Sequence, residues 1–141
     1  MDTDTLQLID NMREIADFED ISFISQNCIG GVVYHDMKKR FYTPTINVDF
    51  NSSDFIKFVN NIDSYLQKDI NMYYEDDVIV GQIDDIKIYF IHDHDIVKTE
   101  KNWNRRKNRL IRDKLFIIAT DRNGFGEKEF KEFKKISYPK A

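Results

Sequence analysis

The chain has 141 residues and a mass of 16.9 kDa, which is close to the usual size of one domain and predicts a single hydrophobic core. Hydrophobic residues make up 41% of the sequence and charged residues 33%, a composition that excludes a disordered chain. The formal net charge of −4 disfavours a protein whose whole surface follows a phosphate backbone. The single cysteine, Cys28, excludes an intrachain disulfide and a zinc site built on several thiolates.

The apolar runs of the sequence are all short. None approaches the roughly 18 residues that a membrane-spanning helix needs. The acidic start of the chain is also unlike a signal peptide. We therefore predict a cytoplasmic protein with no membrane insertion.

The predicted elements alternate between helices and strands. In chain order they are a helix near 6–16, a strand at 21–25, a helix at 32–39, a strand at 46–50, a helix capped by Ser52 or Ser53, strands at 78–80 and 86–91, a helix at 96–112, a strand at 115–119 and a helix at 126–135. The clearest helical stripe contains Phe55, Phe58, Val59, Ile62 and Leu66.

This order predicts the α/β fold class for residues 1–141. We expect a mainly parallel, Rossmann-like sheet in three layers, with helices on both faces and one antiparallel hairpin across Gln82–Asp85. In such sheets, ligands bind outside the carboxyl ends of the strands. The residues that follow each strand are therefore the first candidates for a site.

The first candidate segment runs from Ser25 to Gly31, between a predicted strand and a predicted helix. Gly30 and Gly31 would let the backbone approach a ligand, and amides at the helix start would hold an oxyanion. Cys28 is then a candidate nucleophile. The field of a helix terminus alone does not activate a thiol, so a basic partner is required. The alternative is a half-buried cysteine that packs as a small apolar side chain.

The second candidate segment is Ile91–Asp95, which follows another predicted strand. His92 is the predicted base, and Asp93, Asp95 or Asp121 would orient its ring. A metal site on His92 and His94 lacks an identifiable third ligand, so we predict none. The alternative is a solvated loop in which Asp95 caps the next helix.

The third candidate segment is basic. Lys98–Lys114 contains eight basic and two acidic residues. On one helix, Lys98, Lys101, Arg105, Arg109 and Arg112 would form a solvated face opposite Trp103. Arg106 lies between the two faces and would suit a phosphate-bearing ligand. Nucleic-acid binding is the alternative use of this charge, but the chain shows no recognisable nucleic-acid-binding module, and we predict no nucleic-acid partner.

The same segments resemble a bacterial family, domain of unknown function family 1919, whose members are often described as exopolysaccharide or capsular polysaccharide biosynthesis proteins. The matching stretches are 25–31 with Tyr34, 43–47, 54–58, 90–92 and 103–109. The resemblance singles out Asn27, Cys28, Gly30, Gly31, His92, Trp103, Arg106 and Arg109. Members of the family usually continue beyond Ala141, which implies that this chain lacks a C-terminal portion, as a shortened or a degenerate copy.

The resemblance implies a protein whose substrate is a glycan precursor or another small molecule. The leading hypothesis is acyl transfer with Cys28 as nucleophile and His92 as base. No cofactor is required, and acyl-coenzyme A would be the co-substrate. Asn27, Gly30, Gly31, Trp103, Arg106 and Arg109 would bind the substrate. The alternative is a non-catalytic module that binds a nucleotide-sugar or another phosphate ligand. The sequence leaves the oligomeric state open.

Overall fold

A computed structural model of the chain describes residues 2–16, 21–28, 42–121 and 124–140. Its helices are α1 (Thr3–Ala16), α2 (Ser52–Asn60), α3 (Ile62–Leu66), α4 (Ile96–Lys107) and α5 (Glu127–Lys134), with a short 3₁₀ helix at Arg112–Lys114. Its strands are β1 (Ser22–Ser25), β2 (Asp49–Phe50), β3 (Asn71–Glu75), β4 (Val78–Ile83), β5 (Ile86–Phe90) and β6 (Leu115–Ile118). The helix predicted at 32–39 lies outside the described residues.

The strands form two sheets, and this arrangement contradicts the predicted fold. β1 and β6 form a two-stranded parallel sheet, whereas the other four strands form an antiparallel sheet in the order β2-β5-β4-β3. The chain is therefore a mixed α/β protein, and the mainly parallel, Rossmann-like three-layer sheet is wrong. Only the β4–β5 hairpin, with Ile83 paired to Ile86, follows the prediction closely.

The missed strand β3 and the acidic turn after it explain the error. Asp76 and Asp77 both have positive φ and join β3 directly to β4, as in a two-residue turn that reverses the chain. Asp84, also at positive φ, opens the turn between β4 and β5. β3 carries the polar sequence Asn-Met-Tyr-Tyr-Glu and none of its side chains is fully buried, so its apolar pattern is weak. When β3 is missed, the remaining helices and strands alternate as they do in a parallel sheet.

Gln26 connects the two sheets through its backbone. The backbone N–H of Gln26, just after β1, donates to Ile118 O of β6 at 3.0 Å. The carbonyl of Gln26 accepts from the backbone N–H of Phe50 in β2 at 2.8 Å. Thr45 adds a side-chain contact along β1, because its hydroxyl accepts from the backbone N–H of Ser25 at 3.0 Å. β2 thereby lies beside the parallel pair, and the same strand pairs with β5 in the antiparallel sheet.

The core lies between the antiparallel sheet and the helices α2 and α3. The predicted stripe is confirmed, since all five of its side chains are buried: Phe55, Phe58, Val59, Ile62 and Leu66. The cap is one residue earlier than predicted, because Asn51 Oδ1 accepts from the Ser53 N–H at 3.0 Å. Within the described ranges, no helix combines the length and apolar character that a membrane span requires.

Gly81 lies where the core leaves no room for a side chain. A Cβ atom placed there would lie 2.5 Å from Ile70 Cδ1 and 2.9 Å from Phe90 Cε2. We expect Gly81→Ala to lower the free energy of unfolding by about 1–3 kcal/mol, as overpacking does in other cores. Urea unfolding would measure the change. Ile70→Val removes Cδ1, the nearest carbon, so Gly81→Ala should cost less stability in the Ile70→Val variant than in the wild type. Equal losses of stability in both proteins would contradict the steric explanation.

Candidate functional site

The carboxyl ends of β1 and β6 carry a buried polar cluster. Gln26 is fully buried; its Nε2 donates to Ser52 Oγ at 3.0 Å, and its Oε1 accepts from the Thr120 N–H at 3.2 Å. Asn27 is 2% exposed, and its Nδ2 donates to Thr120 Oγ1 at 2.7 Å. Buried amides of this kind hold their neighbours in place through hydrogen bonds. The cluster therefore holds in place the residues that follow β1 and β6.

Cys28 follows this cluster and is half-buried. A cleft of about 280 Å³ adjoins Thr120, with Ala119, Asp121 and residues of α1 in its wall. Gly30 and Gly31, the predicted oxyanion donors, lie outside the described residues. The structure thus places Asn27 and Cys28 together at the polar end of the parallel sheet. Substrate binding by Asn27 and nucleophilic attack by Cys28 stay predictions.

His92 follows β5, a strand that runs antiparallel to β2. Phe50 of β2 donates to Gln26 O and pairs with Ile88 of β5, so Gln26 is level with the middle of β5. Cys28 and His92 were expected on one edge of a mainly parallel sheet, but the four-stranded sheet that contains β5 is antiparallel. The catalytic pairing of Cys28 with His92 stays a prediction.

The segment around His92 forms a second cleft, of about 260 Å³, against the start of α4. Its wall consists of His92, Asp93, His94, Asp95, Lys98, Thr99 and Asn102. Asp95 is the N-cap of α4, since its Oδ1 accepts from the Lys98 N–H at 3.0 Å. The capping alternative for Asp95 is thereby confirmed. Among the described residues, no group of three His, Cys, Asp or Glu side chains has a metal-binding arrangement.

Trp103 joins α4 to the core beside this cleft. It is 2% exposed, and its ring meets Phe90 edge-on at 6.0 Å between centroids. Within the described part of the chain, no acceptor lies within hydrogen-bonding distance of the indole Nε1. Thr99, in the cleft wall, is one helical turn before Trp103, on the same side of α4. Trp103 is thus a core side chain, and its substrate-binding role stays a prediction.

Arg106 lies one turn after Trp103 and is half-buried. Its pKa is lowered first by burial and next by Arg105, with a further contribution from Arg109, whereas the Asp93 carboxylate acts in the opposite sense. A guanidinium stays protonated in proteins, so the shift reflects a positive charge that is poorly solvated and crowded by like charge. An anion bound here would relieve both effects.

Arg109 and Arg112 are not on the helical face that the sequence predicts, because α4 ends at Lys107 rather than at Arg112. The Arg109 N–H donates to Arg106 O at 3.0 Å, so the chain turns back and keeps Arg109 close to Arg106. Arg112 instead forms an ion pair with Asp63, with 2.6 Å between Nε and Oδ1. The structure therefore places His92 before the start of α4, Trp103, Arg106 and Arg109 along its C-terminal half and the turn after it, and Asn27 and Cys28 at the end of β1.

Sequence reasoning missed two features. The buried hydroxyls of Ser52, Thr43 and Thr45 carry no pattern that separates them from surface residues. The strand β3 brings Tyr73 beside Val80 of β4, and Val80 pairs in turn with Tyr89 of β5. The short run of Met72, Tyr73 and Tyr74, followed by the acidic residues 75–77, was the available signal for that strand.

Comparison with known proteins gives the family. Residues 6–141 match the family described as Domain of unknown function (DUF1919). The chain is also 33% identical, over 119 residues, to an uncharacterised protein of Haemophilus influenzae. This alignment covers 84% of the present chain and 58% of the Haemophilus protein, so the chain spans little more than half the length of that relative. On the breadth of the family match, the chain belongs to the DUF1919 family.

Proposed function

We propose that this chain is a ligand-binding module of surface-polysaccharide biosynthesis that holds a phosphate-bearing sugar precursor, such as a nucleotide-sugar, at the end of α4. The observation that carries the proposal is the position of Arg106. It is half-buried and close to Arg105 and Arg109, and the nearby Asp93 lies in the wall of the 260 Å³ cleft. Guanidinium groups bind phosphate oxygens in pairs, which suits a crowded arginine cluster.

Neighbouring groups support this assignment. Trp103 lies one turn before Arg106 and anchors this part of α4 in the core. His92 and Lys98 line the cleft and add donors, and the Asp93 carboxylate in its wall is close enough to Arg106 to oppose the lowering of the Arg106 pKa. The polysaccharide context comes from the family resemblance of the sequence. The three arginines Arg105, Arg106 and Arg109, here called the arginine cluster, support the assignment of a phosphate group to the ligand.

The experiment is calorimetric titration with UDP-glucose as the probe. Arg106→Ala should weaken binding about ten- to a hundredfold, the usual effect of losing a charge-assisted hydrogen bond. Arg106→Lys should bind with intermediate affinity, because it keeps the charge and loses the paired donors. Lys101→Ala, an exposed residue of the same helix, is the matched control and should leave affinity unchanged. Equal affinities for the wild type and Arg106→Ala, or no binding by the wild type, would refute the proposal.

The second candidate function is acyl transfer with Cys28 as nucleophile, His92 as base and acyl-coenzyme A as donor. The half-buried thiol beside the Asn27–Thr120 hydrogen bond favours it. The Cys28→Ala variant separates the two functions. A binding module should retain its affinity for UDP-glucose without Cys28. A transferase should form an acylated wild-type protein on incubation with acetyl-coenzyme A, detectable by intact mass, which Cys28→Ala does not form.

A further inference from the structure

The antiparallel sheet has a second face, opposite α2 and α4. Side chains alternate along a strand, so the face that carries Phe90 and Ile88 packs into the core and the other face carries the intervening residues. One cross-strand row of that second face contains Tyr73, Val80, Tyr89 and Asp49. The next row contains Asn71, Gln82 and Lys87. We call these two rows the open face.

The open face combines aromatic rings with planar polar groups. Tyr73 and Tyr89 are half-exposed and flank the buried Val80. β3 and β5 lie on either side of β4, so two strand spacings separate the tyrosines by about 10 Å. Lys87 pairs with Glu75 at 3.6 Å, and the pKa of Lys87 is raised chiefly by Glu75 and also by Tyr73 and Tyr89. The rings therefore lie among charged and amide side chains.

A cleft continues the open face toward β2. It has a volume of about 320 Å³ and is lined by Asp49, Phe50, Asn51, Tyr89, Ile91 and Gly124. This volume is at the lower end of the range of about 300–1,000 Å³ for small-molecule sites. Its lining thus combines the aromatic residue Tyr89 with the polar residues Asp49 and Asn51.

The chemistry of the open face favours one kind of ligand. Sugar rings present C–H groups that stack on aromatic rings and hydroxyls that pair with amides and carboxylates. Two tyrosines about 10 Å apart can stack on two rings of one oligosaccharide that are not directly linked. Asp49 on the open face and Glu75 beside it outnumber Lys87, so the charge disfavours a phosphate or an acidic polymer. A protein partner would require exposed apolar side chains at the centre of the face. The apolar side chain at that position, Val80, is fully buried.

We propose that the open face binds a neutral oligosaccharide, with Tyr73 and Tyr89 stacking on two of its rings and the end of the chain entering the cleft beside Asp49. This site lies on the other face of the sheet from the arginine cluster. The two proposals are therefore independent, and each has its own variants.

The test is calorimetric titration of the chain with three neutral probes, namely cellohexaose, chitohexaose and maltohexaose. At least one should bind, and Tyr73→Ala and Tyr89→Ala should each weaken its binding about tenfold. Tyr74→Ala is the matched control, since Tyr74 lies in β3 next to Tyr73 but on the opposite face and is 56% exposed. Arg106→Ala should also leave saccharide affinity unchanged.

Several outcomes would overturn the proposal. These are no binding of any of the three probes at millimolar concentration, unchanged affinity in both tyrosine variants, or an equal loss in Tyr74→Ala. Asn71→Ala keeps the test valid if a tyrosine variant does not fold. Asn71 is exposed on the edge strand, so its replacement should reduce affinity severalfold without affecting the core.

Discussion

Phe58→Ala is expected to lower the free energy of unfolding by about 3–5 kcal/mol, the usual cost of removing a buried phenylalanine ring. Phe58 is fully buried on α2, and its ring stacks on Phe50 at 5.4 Å and contacts Tyr65 at 6.1 Å between centroids. It therefore joins the helix to β2 and to α3. A loss of this size is a large part of the total stability of a small domain, about 5–15 kcal/mol.

Urea unfolding followed by circular dichroism would measure this loss. Asn60→Ala, an exposed position near the end of the same helix, is the control and should change stability by less than about 0.5 kcal/mol. Phe58→Leu keeps much of the apolar volume and should fall between the two. If Phe58→Ala were as mild as the control, the packing of α2 on the sheet would be wrong.

Gln26→Ala is the second substitution with a large expected effect. The variant loses the hydrogen bond to Ser52 Oγ and the one from the Thr120 N–H, and it leaves a cavity where a fully buried side chain was. We expect a loss of about 2–4 kcal/mol, since buried groups deprived of a partner and small cavities each contribute. Gln67→Ala removes the same side chain from an exposed position and should have little effect.

A double-mutant cycle with Ser52→Ala tests the explanation. If the amide of Gln26 and the hydroxyl of Ser52 interact as described, the two losses should be less than additive, with a coupling of about 0.5–3 kcal/mol. Strict additivity would mean that the two side chains act independently. The backbone hydrogen bonds of Gln26 survive in both variants, so the cycle reports the side chains alone.

Local patterns in the sequence predicted most of the elements but not their arrangement. The stripe through Phe55, Phe58 and Val59 identified α2, because a helix on a sheet must bury one face and periodicity reveals it. Strand direction has no comparable local signal. It depended on the positive-φ turn at Asp76–Asp77, where glycine or asparagine would have been easier to recognise than aspartate.

For the candidate site as well, the sequence predicted groupings of residues that are near each other along the chain but not the contacts between distant segments. Trp103, Arg106 and Arg109 lie together because they are close along one helix and the turn after it. The pairing of Cys28 with His92 depended on the relative direction of β1 and β5, which follows from long-range pairing. The contacts of Gln26 with Ser52 and Thr120 span 26 and 94 residues, and no local pattern carries them.

The edge position of β3 has a consequence for self-association. An edge strand is a template for pairing with another chain, and proteins protect such strands with charge. β3 has Asp69 before it and Glu75, Asp76 and Asp77 at its other end. Two copies that approached antiparallel along this edge would place carboxylates opposite carboxylates at both ends. Like charge at both ends of β3 thus opposes edge-to-edge aggregation, and salt that screens these charges weakens that protection.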